Sequence, residues 1–203
     1  GIKERFLAGD RFLEKWPQYR KRFVLVQIGA PSRAHSKSYH DLSAEIDELV
    51  QKINWKHSED SWSPIVYLRR HFTPEEIRPF YALADLCVVS SLHDGMNLVA
   101  KEFVAAAGDR PAALILSRFT GAARELADAV LINPYSIEEF AGAIRSAIEK
   151  SLRDAPDPTV AVVKKSFEKY IAADDRDSIA LADAIEDLGA RAVDEEHTAT
   201  QEK

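Results

Sequence analysis

The stretch LCVVSSLHDGMNLVAKEFVA, residues 86–105, decides the fold, because it passes from a strand into a helix through a polar loop. Residues 86–90 form a short apolar run, typical of a strand that is buried on both faces of a parallel sheet. A helix is predicted from about Leu98. The intervening His-Asp-Gly-Met-Asn therefore lies where parallel α/β sheets bind their ligands.

The same alternation of strand and helix repeats along residues 1–152. Short apolar runs predict strands, and apolar residues spaced three or four apart predict helices. Strands are predicted at residues 23–28, 64–68, 86–90, 113–117 and 129–133. Helices are predicted at residues 2–16, 39–53, from 74, from 98, 121–127 and 137–152. This order predicts the α/β class, with a Rossmann-like parallel sheet and helices on both faces.

Two of these helices carry a start signal in the sequence. Thr73, Pro74 and Glu76 predict a capping box with proline at the first helical position. Ser136 and Glu139 have the same spacing and predict a second capping box.

The composition after Leu152 differs from that of the preceding residues. Residues 153–190 are predicted to form a C-terminal helical extension, and residues 191–203 a disordered tail. The chain begins at Gly1 without Met and enters a helical pattern at once, as expected of a piece of a longer polypeptide.

Charge and composition exclude several classes of partner. The net charge is −6 with no concentrated basic run, which argues against a nucleic-acid partner. No apolar stretch approaches the roughly 18 residues that span a bilayer, so no membrane partner is predicted. The single cysteine, Cys87, cannot form an internal disulfide, which predicts a reducing, cytoplasmic location.

The polar loop has the chemistry of a nucleotide-sugar site. A helix N-terminus offers unpaired N–H groups to an anion, and Gly95 lacks a Cβ that would obstruct it. Asn97 can cap the helix. Asp94 would repel a phosphate, so we expect it to point past the phosphate at sugar hydroxyls, while Glu102 could accept from a ribose. An Asp-Gly turn with a cap and no ligand remains the alternative.

The segment DGMNLVAKEFVA, residues 94–105, resembles the signature of the trehalose-6-phosphate synthases, which are retaining glucosyltransferases with the two-domain GT-B architecture. Residues 12–33, 53–68 and 114–136 resemble the same family in the same order. The resemblance covers about residues 1–150. It implies that residues 1–152 are the C-terminal domain of a GT-B enzyme, a Rossmann-like nucleotide-sugar-binding domain.

The resemblance implies a role for each matching residue. The donor is UDP-glucose, and Asp94 is the catalytic residue that contacts the glucose hydroxyls. Glu102 holds the ribose, and Val99 gives packing and backbone support. The backbone that meets the glucose and diphosphate belongs to Gly95, Met96, Asn97 and Leu98.

Two further positions are implied to contact the base and the acceptor. His71 and Phe72 lie beside the uracil, although Phe72 could instead fill a core. Arg33 reaches the phosphate of the acceptor, glucose 6-phosphate, although it could be a solvated loop residue. The partners implied are these two substrates and the missing N-terminal GT-B domain. A homo-oligomer through the apolar face of residues 160–188 is also predicted.

The histidines and Lys101 have plainer interpretations. His93 is predicted in the loop near the donor, and His35, His40 and His57 at the surface with no metal-ligand spacing. Lys101 is either a site residue or a solvated helix residue. No metal and no cofactor is implied by the resemblance.

The implied reaction is glucose transfer with retention by front-face attack, in which the leaving UDP phosphate helps to deprotonate the acceptor hydroxyl. The family's diphosphate-binding arginine and lysine would lie upstream of Gly1, so the chain alone is expected to be inactive. The alternatives are a glucosylglycerol-phosphate synthase, with the same donor and another acceptor, a non-catalytic nucleotide-sugar-binding regulatory module, and an unrelated α/β domain.

Overall fold

The computed structural model describes residues 1–29 and 37–154. Three predictions fall outside the described residues: the role of Arg33, the helical extension beyond residue 154, and the tail. The strands are β1 (Leu25–Ile28), β2 (Ile65–Leu68), β3 (Leu86–Val89), β4 (Ala113–Ser117) and β5 (Val130–Ile132). The helices are α1 (Ile2–Lys15), α2 (Lys37–His57), α3 (Pro74–Leu83), α4 (Leu98–Ala107) and α5 (Ile137–Asp154). Short 3-10 turns span Pro17–Tyr19 and Gly121–Arg124.

The predicted order of elements is confirmed, and the differences lie at the ends. The first strand begins at Leu25 rather than at residue 23. The helix predicted at 121–127 is a single 3-10 turn, because so short a segment does not sustain an α-helix. The last helix runs to Asp154, so the predicted domain boundary at 152 falls inside it. Each helix within the described ranges is too short or too polar to cross a bilayer.

Every strand pair is parallel, but the strands form two hydrogen-bonded groups rather than the single sheet predicted. One group is β1–β2 and the other is β3–β4–β5. Arg5 of α1 links them through its side chain, which donates to Gln27 Oε1 in β1 and, at 3.1 Å, to Ser90 Oγ after β3. Burial lowers the pKa of Arg5 to about 10, so the guanidinium remains charged at neutral pH.

Helices cover both faces of the three-stranded group. Successive side chains of a strand point to opposite faces, and β4 shows this clearly. Ile115 packs with Phe12 of α1 and Phe140 of α5. Leu116 packs on the other face with Phe103 of α4. The polar loop after β3 is thus anchored to a sheet that is buried on both sides.

His57 corrects the prediction that it lies at the surface. It is 1% exposed, and its Nε2 lies 2.6 Å from Asp10 Oδ1, to which Lys56 Nζ also donates at 2.7 Å. Burial would raise the pKa of Asp10, but the hydrogen bonds from Lys56 and His57 hold it below its usual value. The prediction failed because α1 packs against α2 and supplies a carboxylate that the local sequence does not reveal.

One of the two predicted capping boxes is complete. Thr73 Oγ1 accepts from the Glu76 N–H at 3.3 Å, and the Glu76 carboxylate accepts from the Thr73 N–H at 2.7 Å. At the start of α5, Ser136 Oγ accepts from the Glu139 N–H at 3.4 Å, as the second capping box predicts. The prediction that the Glu139 carboxylate accepts from the Ser136 N–H is wrong. The Glu139 carboxylate instead accepts from the Asn133 N–H at 3.0 Å.

Candidate functional site

The loop between β3 and α4 is fixed by backbone hydrogen bonds to the segment that follows β4. The Asp94 N–H donates to the Phe119 carbonyl at 3.2 Å, and the Gly121 N–H donates to the Asp94 carbonyl at 3.1 Å. The Ala122 N–H donates to the Met96 carbonyl at 2.9 Å. These three bonds hold the loop in one conformation without using its side chains.

The close contact between these segments depends on Gly121. A Cβ at this position would lie 2.0 Å from the Gly95 carbonyl oxygen, far inside van der Waals contact. Gly95 itself faces open space, with no atom within 4 Å of a built Cβ. The loop surface at Gly95 is therefore unobstructed, and its predicted role in a close approach of a ligand stays a prediction. Gly121 was not identified from the sequence as a residue that shapes the site. The available signal was a glycine in the loop that follows β4, next to Thr120.

Asn97 begins α4 and is the N-cap residue, as predicted. Its backbone has a φ of 74°, a region that asparagine tolerates better than most residues. Its Oδ1 accepts from the Ala100 N–H at 3.0 Å, and its Nδ2 donates to Asp94 Oδ2 at 2.9 Å. One side chain thus starts the helix and holds the acidic residue.

Asp94 is turned into the loop rather than away from it. Besides the bond from Asn97, its Oδ1 accepts from the Met96 N–H at 3.2 Å, and its Oδ2 lies 3.4 Å from Ser91 Oγ. The Asn97 amide, the Met96 N–H and then the Ser91 hydroxyl lower the pKa of Asp94, so it is ionised at neutral pH. Carboxylate oxygens have further lone pairs, which remain able to accept from sugar hydroxyls.

The start of α4 is open to solvent. Met96 is 50% exposed, Leu98 61% and Val99 43%, so the predicted packing role of Val99 does not hold in this structure. The first N–H groups of a helix have no partner within the helix and carry partial positive charge. The Ala100 N–H already has a partner, because it donates to Asn97 Oδ1.

Glu102 lies one turn further along α4 and is exposed. The Tyr81 hydroxyl, from α3, donates to Glu102 Oε2 at 3.1 Å, a contact that sequence reasoning missed. Lys101 Nζ pairs with Glu125 Oε2 at 2.7 Å. This exposed ion pair favours the interpretation of Lys101 as a solvated helix residue.

His71 and Phe72 follow β2, as the loop of Asp94 follows β3. His71 is exposed, whereas Phe72 is half-buried. The guanidinium carbon of Arg70 lies 3.7 Å from the centre of the Phe72 ring, and Phe80 meets that ring edge-on at 5.6 Å. Phe72 is thus a partly exposed stacking residue rather than part of a buried cluster. His93 lies in the loop after β3, as predicted, and it is exposed.

Metal ligands were not predicted for this site. Within residues 1–29 and 37–154, the structure shows no group of three His, Cys, Asp or Glu side chains arranged to hold an ion.

The site geometry is accompanied by a sequence match that covers most of the chain. The sequence model of glycosyltransferase family 20 matches residues 1–172. The chain belongs to glycosyltransferase family 20. The family match therefore extends beyond the predicted limit of about residue 150 and into the predicted C-terminal extension.

Relatives within family 20 are similar in sequence and in structure. Trehalose-6-phosphate synthase of Escherichia coli K12 is 39% identical over 155 residues, which are 76% of this chain and 33% of that protein. A solved E. coli structure bound with UDP-2-fluoro glucose matches with a TM-score of 0.73 at 34% identity, over 93% of this chain and 41% of that one. A Burkholderia xenovorans α,α-trehalose-phosphate synthase (UDP-forming) in complex with glucose-6-phosphate matches with a TM-score of 0.70 at 31% identity. The match covers 84% of this chain and 40% of that one.

The family 20 matches confirm the predicted family and fold class. The matched structures are GT-B glycosyltransferases, and this chain has their parallel strands flanked by helices. The chain spans about one third of the length of the curated relatives and about two fifths of the solved structures. It therefore corresponds to one part of a family 20 enzyme. Since these relatives are named trehalose synthases, the glucosylglycerol-phosphate alternative is not favoured.

Proposed function

We propose that this chain is the donor-binding half of an α,α-trehalose-phosphate synthase, which transfers glucose from UDP-glucose to glucose 6-phosphate with retention. The observation that carries the proposal is the fixed loop of Asp94 and Asn97 at the open start of α4, with Glu102 one turn beyond. The family match and the E. coli structure bound with UDP-2-fluoro glucose support it.

The donor diphosphate binds at the start of α4 in this proposal. The N–H groups of the first turn and the helix dipole attract an anion, and the open space at Gly95 allows close approach. The backbone of Met96, Asn97, Leu98 and Val99 lines this position. Asp94 lies before the helix, where its negative charge accepts from the glucose hydroxyls instead of facing the phosphates.

The ribose and base extend from the diphosphate. Glu102 accepts hydrogen bonds from the ribose hydroxyls, which suits an exposed carboxylate. His71 and Phe72, after β2, lie beside the uracil, where the Phe72 ring and the Arg70 guanidinium form a flat surface. UDP rather than another nucleotide is proposed from the UDP compound in the E. coli structure.

The acceptor requires residues beyond those that the structure describes. Arg33 is proposed to bind the phosphate of glucose 6-phosphate, the compound in the B. xenovorans structure. An N-terminal GT-B domain supplies the remaining acceptor contacts. A cytoplasmic location and a homo-oligomer remain proposals from the sequence.

The chemistry assigned to this chain is positioning and charge stabilisation. Asp94 orients the glucose through its hydroxyls, so that the anomeric carbon faces the acceptor. As the bond to UDP breaks, negative charge grows on the diphosphate, and the N–H groups at the start of α4 stabilise it. The acceptor hydroxyl attacks from the face that UDP leaves, and its proton passes to the leaving phosphate. The configuration is retained without a protein nucleophile.

The 203 residues alone are expected to form no trehalose 6-phosphate from UDP-glucose and glucose 6-phosphate. They span about one third of the length of the curated relatives, and a GT-B reaction takes place between two domains. Product formation is measured by mass spectrometry, with the full-length E. coli relative as the positive control. Product above the enzyme-free background would contradict this prediction.

UDP is expected to bind the chain weakly, and Glu102→Gln is expected to weaken binding by about three- to ten-fold. The substitution keeps the shape but removes a charged acceptor, and hydrogen bonds to charged groups contribute about 1.5–3 kcal/mol, less when exposed. Calorimetry or NMR titration gives both dissociation constants. Glu149→Gln, on the exposed surface of α5, is the matched control and should bind like the unmodified chain.

Either of two results would contradict the donor site. If the unmodified chain binds no UDP, the N–H groups at the start of α4 do not hold the diphosphate on their own, as the proposal requires of this chain. If UDP binds and Glu102→Gln has the same affinity as Glu149→Gln, the ribose contact is wrong while the diphosphate position stands.

A further inference from the structure

Tyr81 of α3 contacts the carboxylate proposed to hold the ribose. Its hydroxyl donates to Glu102 Oε2 at 3.1 Å, across the interface between α3 and α4. We propose that Tyr81 is a positioning residue, which orients Glu102 to receive the ribose hydroxyls of the donor nucleotide. The inference rests on the proposed donor-binding function and adds a residue that does not itself touch the ligand.

The position of Tyr81 is fixed from two sides. Its ring meets Phe103 edge-on, with ring centres 6.4 Å apart, and Phe103 is 1% exposed in the core. Its backbone carbonyl accepts from Arg110 Nη2 at 3.0 Å, and the same nitrogen donates to the Ala84 carbonyl at 3.0 Å. Arg110 thus satisfies carbonyls at the end of α3 that would otherwise lack partners. The hydroxyl therefore reaches Glu102 from a rigid support.

Glu102, by contrast, is an exposed side chain on a helix surface. Such a side chain samples several rotamers, and ordering it on ligand binding costs conformational entropy. A hydrogen bond to Oε2 selects one rotamer before the ligand arrives, which reduces that cost. Oε1 and the remaining lone pair of Oε2 stay available for two ribose hydroxyls.

The contact has a defined direction. Burial, and then the hydrogen bond and negative charge of Glu102, raise the pKa of Tyr81 well above its usual value. The phenol therefore remains protonated at physiological pH and acts as the donor, while Glu102 is the acceptor. The hydroxyl proton is committed to Glu102 Oε2, and the carboxylate remains the acceptor that faces the ribose hydroxyls in this proposal.

The test compares UDP with 2′,3′-dideoxy-UDP, which lacks the ribose hydroxyls. Tyr81→Phe keeps the ring and removes the donor. We expect it to weaken UDP binding by about three- to ten-fold and to leave binding of the dideoxy nucleotide unchanged. Tyr19→Phe is the matched control, because Tyr19 lies before β1, at the opposite end of the strand from the site. It should alter neither affinity.

A second variant separates a positioning role from a general effect on the fold. In a Glu102→Gln background, Tyr81→Phe should cause no further loss of UDP affinity, because the residue that it positions is already impaired. The proposal would be overturned by an equal loss for both nucleotides, by an additive loss in the double variant, or by no loss for UDP.

Failure of the donor site itself would look different. If the unmodified chain binds UDP no better than 2′,3′-dideoxy-UDP, or binds neither, the ribose contact fails before Tyr81 is considered. Both the proposed function of Glu102 and the role of Tyr81 would then be rejected. If the unmodified chain discriminates between the nucleotides and Tyr81→Phe does so equally well, only the role of Tyr81 is rejected.

Discussion

Gly121→Ala is expected to lower the free energy of unfolding by about 2–4 kcal/mol and to abolish measurable UDP binding. The added Cβ would lie 2.0 Å from the Gly95 carbonyl oxygen and 2.9 Å from its carbonyl carbon. Both obstacles are backbone atoms, so no side-chain rotation can relieve the overlap. Overpacking typically costs about 1–3 kcal/mol, and each broken hydrogen bond adds about 1 kcal/mol.

The loss of UDP binding follows from the displacement of the loop that contains Asp94 and Gly95. Separating Gly121 from Gly95 breaks the bond from the Gly121 N–H to the Asp94 carbonyl, and it strains that from Ala122 to Met96. These bonds set the conformation of the loop at the start of α4. A displaced loop changes both the direction of the Asp94 carboxylate and the position of the N–H groups proposed to bind the diphosphate.

Gly142→Ala is the matched control for this substitution. Gly142 lies within α5, and a Cβ built there meets no atom within 4 Å. Alanine is favoured over glycine in a helix interior by about 0.5–1 kcal/mol, so this variant should be slightly more stable. Urea denaturation and UDP titration of both variants provide the comparison. A Gly121→Ala protein with unchanged stability and UDP affinity would show that the loop contact is not restrictive.

The sequence predicted the parts of the fold that depend on local patterns. The apolar run at residues 86–90 and the helical spacing after Leu98 placed β3 and α4 to within a residue. Asn97 was identified as the cap because capping depends on residues three apart along the chain. The Thr73 capping box was predicted for the same reason. Such features involve neighbours in sequence, so composition and spacing reveal them.

Most of the parts that were missed depend on contacts between distant segments. Gly121 is recognisable as a site residue only when the loop of Gly95 is known to lie against it. Tyr81 can be linked to the site only through its hydrogen bond to Glu102, which lies on another helix. His57 is buried because Asp10 of α1 packs over it. Glu139 has the spacing of a capping box, but its carboxylate is taken by the Asn133 N–H.

The direction in which the Asp94 carboxylate points could not be predicted from the sequence either. Electrostatic repulsion from a phosphate predicts where a carboxylate should not point, but not which internal donors it will find. In the structure Asn97 and Met96 supply those donors. The predicted role at the sugar hydroxyls therefore requires Asp94 to accept from a ligand in addition to its loop partners.

Asn97→Ala is expected to destabilise the chain by about 2 kcal/mol, and Asn97→Gly by less than half as much. Alanine loses the N-cap, which costs about 1 kcal/mol, and it is strained at a φ of 74°, which costs about 1 kcal/mol more. Glycine tolerates positive φ and is a moderate N-cap residue, so it avoids most of both costs. Urea denaturation of the two variants measures the order.

Both Asn97 variants should raise the pKa of Asp94, because the Asn97 amide is the largest cause of its lowered value. A group with a depressed folded-state pKa stabilises the fold above its unfolded pKa, and that contribution is lost as the pH falls through the folded pKa. The stability gap between the unmodified chain and Asn97→Gly should therefore narrow as the pH falls below about 4. A carbon-13 NMR titration of the Asp94 carboxyl tests the cause directly. An unchanged Asp94 pKa in Asn97→Gly would mean that the Asn97 amide does not hold the acidic residue in place. An Asn97→Ala chain as stable as Asn97→Gly would instead contradict the cost assigned to alanine at this φ.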